Sequence, residues 1–313
     1  MALVNAPFAS GQDSKGTEFW ICFPGNLSVL NTQLYITADA ASSVTIDIPG
    51  LAFNTVVAVA AGGLQTVTIP SAAQVVSSFI PDNKGIHITA TTEVTVYGMN
   101  AATATTDAFL GFPIDAIGMS YYVMGYNRDF GFANPTQATI LATENNTTVT
   151  ITSSVTGGPF VAGTPANVVL QQGQVYQLRS IATNADYTGT KVTADKPISV
   201  FGGAQCSNIS GNLRACDHLV EQLPPLSSWG KSFVTVPLAT RLAGDVFRIM
   251  AQTNGTIVNI NGAAQPILNQ GQFIETILGS NSYNRITSNL PVLVGQYSRS
   301  SEADNVVSDP FFA

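Results

Sequence analysis

Apolar and polar residues alternate with a period of two along most of the chain, the pattern of half-buried strands and not of helices. Leu34-Tyr35-Ile36-Thr37, Val44-Thr45-Ile46-Asp47-Ile48, Val94-Thr95-Val96-Tyr97, Thr148-Val149-Thr150-Ile151 and Ile257-Val258-Asn259-Ile260 are rich in β-branched and aromatic residues. Such side chains suit a pleated, half-buried surface. Turn-forming clusters separate these runs: Asp82-Asn83-Lys84-Gly85, Glu144-Asn145-Asn146, Thr253-Asn254-Gly255 and Asp195-Lys196-Pro197. No segment carries a sustained helical period with caps. Short helical turns are expected only at 71–77 and 216–221. The pattern predicts an all-β fold.

The pattern also repeats at a period of about a hundred residues. An opening strand follows Gly16, Gly118 and Gly230. A hairpin follows at 36–46, 141–151 and 250–260. Next comes a Gly-Gln strand, clear in Gln172-Gly173-Gln174 and Gln270-Gly271-Gln272 and looser in Gly62-Gly63-Leu64-Gln65. A second hairpin is expected over 88–98, 192–202 and 286–295, with Pro197 and Pro291 where Glu93 stands. Each copy closes on an Asp, an apolar segment and a Pro: Asp107 to Pro113, Asp217 to Pro224, Asp304 to Pro310. The expected organisation is an extension (1–15) and three β repeats (16–117, 118–229 and 230–313). Each repeat is read as a β-sandwich-like unit, and no linker separates them, so they should pack into one rigid body. The recurring Asp107, Asp217 and Asp304 read first as turn caps and second as a shared ligand or metal site.

Composition narrows the function. Charged residues make up 10%, against roughly a quarter in an average soluble domain, and 12 Lys+Arg against 19 Asp+Glu give a net charge of −7. With 45% hydrophobic residues the chain is not a disordered tail. Lys15 and Lys84 are the only basic residues before Arg128, so no basic stripe for nucleic acid exists there. The apolar run 56–61 is far shorter than the roughly 20 residues of a spanning helix, and no membrane insertion is expected. Residues 1–7 carry neither a basic nor an apolar leader region, so the chain reads as trimmed of any secretion signal.

Candidate chemistry is sparse. Cys22 lies in Phe19-Trp20-Ile21-Cys22-Phe23 and reads as a buried free thiol. Cys206 and Cys216 flank a polar loop, and a disulfide between them would imply an oxidising compartment. No zinc spacing, phosphate loop, EF-hand or paired carboxylates can be nominated, so no metal, cofactor or catalytic residue is expected. His87 and His218 read as structural. A hydrolase using His218 with Asp217 ranks last among the functional readings. The segment Tyr126-Asn127-Arg128-Asp129-Phe130-Gly131-Phe132-Ala133-Asn134-Pro135 is the leading ligand contact, with Tyr126, Arg128, Phe130 and Phe132 as contact residues and Tyr187 a further loop aromatic.

Several stretches resemble the amino-terminal domain of the IgG Fc-binding protein family. They include Gly16-Thr17-Glu18-Phe19-Trp20, Asn83-Lys84-Gly85-Ile86-His87-Ile88, Ala215-Cys216-Asp217-His218-Leu219-Val220-Glu221-Gln222-Leu223-Pro224-Pro225, Gly244-Asp245-Val246-Phe247-Arg248 and Ser298-Arg299-Ser300-Ser301. The resemblance runs from about Gly16 to Phe311. It implies secreted mucus proteins in animals, where IgG Fc binding gave the name, and large surface or secreted proteins in bacteria. The low charge and the wealth of Thr, Asn and Ala point to the bacterial surface type. The expected function is a non-catalytic extracellular or cell-surface adhesin module that binds a cell-surface protein or glycan. The runner-up is a structural, oligomerising head of a surface fibre, such as a homo-trimer.

Overall fold

The computed structural model describes residues 13–27, 31–103, 105–127, 134–210, 213, 215–239, 241–281 and 283–305. Within them the alternating segments are strands, and no α-helix is present among the described residues. The chain opens with β1 (Lys15–Ile21), β2 (Phe23–Pro24), β3 (Asn31–Ala38), β4 (Ser42–Ile48), β5 (Phe53–Val59) and β6 (Leu64–Ile69). Next come β7 (Gln74–Val75), β8 (Pro81–Asp82), the long β9 (Ile86–Ala101) and β10 (Thr106–Gly111). The middle third holds β11 (Gly118–Tyr122), β12 (Thr136–Ala142), β13 (Thr147–Thr152), β14 (Pro165–Leu170), β15 (Val175–Ser180), the long β16 (Lys191–Ser207) and β17 (Asp217–Gln222). The last part holds β18 (Gly230–Thr235), β19 (Asp245–Ala251), β20 (Val258–Ile260), β21 (Ala263–Ala264), β22 (Phe273–Leu278) and the long β23 (Asn284–Tyr297).

Each third builds an antiparallel sheet around its long strand, and β8 of the first third joins the edge of the second sheet beside β15. The orders are β5-β4-β9-β3-β6, β14-β13-β16-β12-β15-β8 and β21-β20-β23-β19-β22. β1 and β10 also pair with β9, β11 and β17 with β16, and β18 with β23. A small parallel pair, β2 with β7, stands apart.

The second expected hairpin is replaced by one continuous strand in each sheet. β9 runs between β1 and β4 over Ile86–Ala90, then between β3 and β10 up to Ala101. β16 does the same, pairing with β13 up to Ala194 and with β12 from Ile198. Asp195-Lys196-Pro197 lies at this change of partners and not at a chain reversal. A residue without an N–H is tolerated there because no ladder bond is required of it. Each sheet therefore curls around a shared strand. The expected helical turn at 216–221 is also a strand, β17, while Ser71–Ala73 is a single 3-10 turn.

The opening glycines are set by close approach. A Cβ on Gly16 would stand 2.3 Å from Pro113 Cβ, and one on Gly118 would stand 2.7 Å from Pro225 Cβ. In these two thirds, Pro113 and Pro225 thus pack directly on the strand that opens the same third.

The sheets share their cores. The cluster under the first sheet includes Leu141, Val175, Phe201 and Val220 from the second. The second cluster includes Met250 and packs against Phe273, Leu293 and Tyr297 from the third. β12 is buried at every position, as expected of a strand covered on both faces. Gln137 Nε2 donates to Gly25 O (2.9 Å), although Gln137 Oε1 has no partner among the described residues, and Thr139 Oγ1 donates to Gln177 Oε1 (3.0 Å). Buried amides left without partners would cost about 1–3 kcal/mol each.

Candidate functional site

The site begins at Arg248, in the middle of β19. Every position of that strand is buried, so a charge there must be paired to be tolerated. Arg248 is 2% exposed and uses all parts of its guanidinium. Nε donates to Glu275 Oε2 (2.8 Å), and Nη1 to Gly125 O (2.8 Å), Asp186 Oδ2 (2.8 Å) and Thr188 Oγ1 (2.7 Å). Nη2 donates to Asn127 Oδ1 (3.1 Å). The plane lies 4.1 Å from the Tyr126 ring centroid and 4.8 Å from that of Phe273. Burial works against its charge, but Asp186, with Tyr297 and Glu275, outweighs burial and raises its pKa. With its donors spent inside the protein, Arg248 is a clamp on Gly125-Tyr126-Asn127 and not a receptor for an anion.

That clamp holds one end of the segment expected to contact a ligand. Ser207 Oγ donates to Asn127 O (2.6 Å), and Ser210 N donates to Tyr126 Oη (3.3 Å). On the return side, Gln205 N donates to Pro135 O (2.9 Å). The next residue, Cys206, is disulfide-bonded to Cys216, with Cα atoms 5.2 Å apart. Ile209 N reaches Ser300 Oγ (3.0 Å), and Arg299 Nε reaches Ser210 Oγ (3.0 Å). The platform is thus built from 125–127, 134–135, 205–210 and 298–300.

Arg128, Phe130 and Phe132 lie outside the described residues. Tyr126 does not have the exposed position expected of a loop aromatic. It is 2% exposed because its face is covered by Arg248 and its edge by Tyr297, with ring centroids 5.1 Å apart. Tyr187, expected in a loop, is 1% exposed and belongs to the second core. Cys22 is a free thiol, and burial pushes its pKa up.

Asp217 and His218 do not form a catalytic pair. Neighbours on a strand point to opposite faces. Asp217 Oδ1 accepts the backbone N–H groups of His218 (2.8 Å) and Thr106 (2.9 Å). The His218 ring is buried, with Nδ1 3.1 Å from Gln205 O and Nε2 3.1 Å from Asn100 Nδ2. A carbonyl can only accept and an amide NH2 can only donate. The ring is therefore neutral, with its proton on Nδ1. Burial lowers its pKa to about 4. His87 stacks on Trp20 (4.2 Å) and bonds Glu18 Oε1 (2.9 Å).

The recurring aspartates act on backbone amides. Asp107 Oδ2 accepts from Val220 N (2.8 Å), so Asp107 and Asp217 brace β10 and β17 reciprocally. Asp304 Oδ1 accepts from Leu242 N (2.9 Å) and Ala243 N (2.7 Å), and Oδ2 pairs with Arg241 (2.8 Å). Among the described residues no group of three or more His, Cys, Asp or Glu is gathered as a metal ion would need. None of their helices is long and apolar enough to cross a membrane.

A cleft of about 360 Å³ opens where the three sheets meet. Asp107 and Phe112 reach it from the first sheet's side, Met124, Glu221 and Leu223 from the second, and Leu293 to Tyr297 from the third. Burial pushes the Asp107 carboxyl well above the ordinary range, against the Val220 amide, with Glu221 and Asp217 adding to the rise. The Glu221 side chain, exposed on β17, stands at the mouth of the cleft.

Sequence reasoning did not single out Arg248 or this cleft. Arg248 could have been found as a lone charge inside Val246-Phe247-Arg248-Ile249-Met250, because a charge in a continuous apolar run is a paired charge. The cleft depends on packing between sheets and leaves no local signal.

The IgGFc binding protein family matches residues 107–313 of the chain. The chain is also similar to the IgGFc-binding protein of Homo sapiens, at 28% identity over 306 residues. That match covers 94% of this chain and 6% of the human protein, so the chain spans only a small part of its relative. Among solved structures it is similar to a chain from a 1.5-MDa bacterial ice-binding adhesin at 12% identity, over 80% of this chain and 75% of that one. The TM-score is 0.12, and a likeness at that level carries no argument.

Proposed function

The chain belongs to the IgGFc-binding protein family, and from that membership we propose that it is a non-catalytic extracellular recognition module. Its contact surface is the segment 128–133 with the platform that its described flanks help to form. The partner class is a protein or glycan displayed on a target surface. The observation that carries this reading is the anchoring of both flanks of that segment, by Arg248 on one side and by Gln205 beside the Cys206–Cys216 disulfide on the other. A binding loop gains affinity when a rigid scaffold prepares it, because less ordering remains to be done on contact. The disulfide supports an oxidising, extracellular setting.

The three thirds of the chain, 16–117, 118–229 and 230–313, are read as copies of one unit. The corresponding strand orders around β9, β16 and β23 support this.

The test is retention of the labelled chain on an array of glycans and immobilised glycoproteins that includes IgG Fc. Retention on one glycan or glycoprotein class is expected. No retention, together with a stable trimer by light scattering, would favour the oligomerising head of a fibre instead.

A further inference from the structure

One kind of contact joins the thirds, and it is used twice. Gly62, Gly173 and Gly271 hold the same place in their sheets. Each has a positive φ, and each donates its N–H to the carbonyl that ends β3, β12 or β19 (Ala38, Ala142 and Ala251; 2.8, 2.9 and 2.9 Å). Just beyond them, Leu64, Val175 and Phe273 pair with Thr37, Leu141 and Met250. In the second third this edge docks on the first. A Cβ on Gly173 would stand 3.2 Å from the Trp20 ring, and Gly85 N donates to Gly173 O (2.9 Å). Leu141 and Val175 belong to the first core. In the last third the same edge docks on the second. A Cβ on Gly271 would stand 2.9 Å from the Tyr122 ring, and one on Gly189 would stand 2.7 Å from Gly271 O. Met250 lies in the second core, with Phe273 packed against it.

The receiving sides correspond as well. Trp20, Tyr122 and Val234 follow the opening glycines Gly16, Gly118 and Gly230 at the same spacing. Their strand partners are His87, Lys191 and Arg285, which follow Gly85, Gly189 and Tyr283 at the same spacing. Trp20 and Tyr122 are 3% and 4% exposed, with the turn of the next third against them, whereas Val234 and Tyr283 are 68% and 74% exposed. At the opposite end of the molecule, a Cβ on Gly62 would meet nothing within 4 Å. Leu64 is 65% exposed there, in the place where Val175 is buried. The molecule thus ends in the two halves of a contact that it makes twice internally. A contact between two different surfaces is continued by a further copy unless something closes it. Large apolar side chains left exposed at both ends mark the same two surfaces.

We propose that the Gly62 turn and Leu64 of one copy dock on Val234 and Tyr283 of a second copy, so that copies associate head to tail. The proposal rests on reading the three thirds as copies of one unit. On this last receiving side the aromatic and the smaller residue have exchanged places. Tyr283 stands where Gly85 and Gly189 stand, so the turn does not approach that strand as closely, and Gly62 meets the Tyr283 ring as Gly173 meets that of Trp20. Thr37, in the place of Leu141 and Met250, withholds one apolar anchor. The contact is therefore weaker than the two internal ones and depends on concentration.

Light scattering over a concentration series of the full chain tests this. The mean mass should rise above that of one chain between about 1 µM and 1 mM. Leu64→Glu and Tyr283→Glu should each hold the mass at one chain with melting unchanged, since both side chains are exposed. An equimolar mixture of the two variants should form dimers and nothing larger, because each keeps the end that the other has lost. A native chain that stays monomeric up to about 1 mM overturns the proposal. So does association that either variant leaves intact, and so does a mixture that stays monomeric. The unit reading is tested separately by Val175→Ala and Phe273→Ala, which truncate the counterparts of Leu64. Unchanged melting in both would remove that reading. Lowered melting in both, beside a monomeric native chain, would remove the docking alone.

Discussion

At the scale of single residues, Arg248 is where charge and packing bear hardest on each other. Its partners Asp186 and Glu275 sit beside it with the Tyr126 and Phe273 rings. Truncation leaves two carboxylates facing a gap, and breaking a buried pair from one side costs about 3–5 kcal/mol. Arg248→Met should lower unfolding free energy in urea by that amount. Arg248→Lys should recover only part of it, since an ammonium cannot reproduce the planar fork. His218 makes a second prediction. Its folded pKa of about 4 lies below its ordinary value of 6.5, so between these pH values the unfolded chain binds more protons than the folded one. Stability should fall as pH drops from 6.5 towards 4, by on the order of 3 kcal/mol from this group. His218→Gln should remove that part of the slope in urea midpoints measured across the window. Residue roles were partly legible in advance. Cys22 is the buried free thiol that its apolar run implies, whereas the strand alternation that separates Asp217 from the His218 ring was hidden by the helical turn expected at 216–221. The exposure of Tyr126 could not be judged without Arg248, 122 positions away in the chain.

At the scale of elements, the alternating pattern identified the strands because each has one face on a core. It misread the long strands as hairpins for a physical reason. Asp195-Lys196-Pro197 has the composition of a turn, and the absence of ladder bonds favours the same residues whether the chain reverses or only changes partners. The proline positions turn this into a prediction. Glu93 is exposed and occupies the change of partners in β9, between Ala90 opposite Val44 and Val94 opposite Ala38. Glu93→Pro should be neutral, or should stabilise by about 0.4–1 kcal/mol through the unfolded chain. Val96→Pro, three residues on and between β3 and β10, should cost about 3 kcal/mol or more. Thermal midpoints of the two variants check this directly. A large loss in Glu93→Pro would mean that the bend carries hydrogen bonds after all.

At the scale of the whole molecule, the shared cores matter most. Phe201 of the second sheet meets Phe109 of the first with ring centroids 5.2 Å apart, and Met250 of the third enters the second core. Sheets joined in this way present a fixed platform, and a change confined to a surface segment should leave their melting unchanged. The low charge of the chain fits the same picture, since strands and tight turns take Thr, Val, Gly and Asn before Lys or Glu. What no local pattern contained was the meeting of distant segments, 125–127 with 205–210 and 248, that makes the platform. The central claim, that recognition is carried by 128–133 on this platform, is tested most directly by one dissociation constant. It is that of the Arg128→Ala/Phe130→Ala double variant for the array target that retains the native chain. The account predicts binding at least tenfold weaker, about 1.4 kcal/mol or more, with an unchanged melting temperature. An unchanged dissociation constant would contradict it.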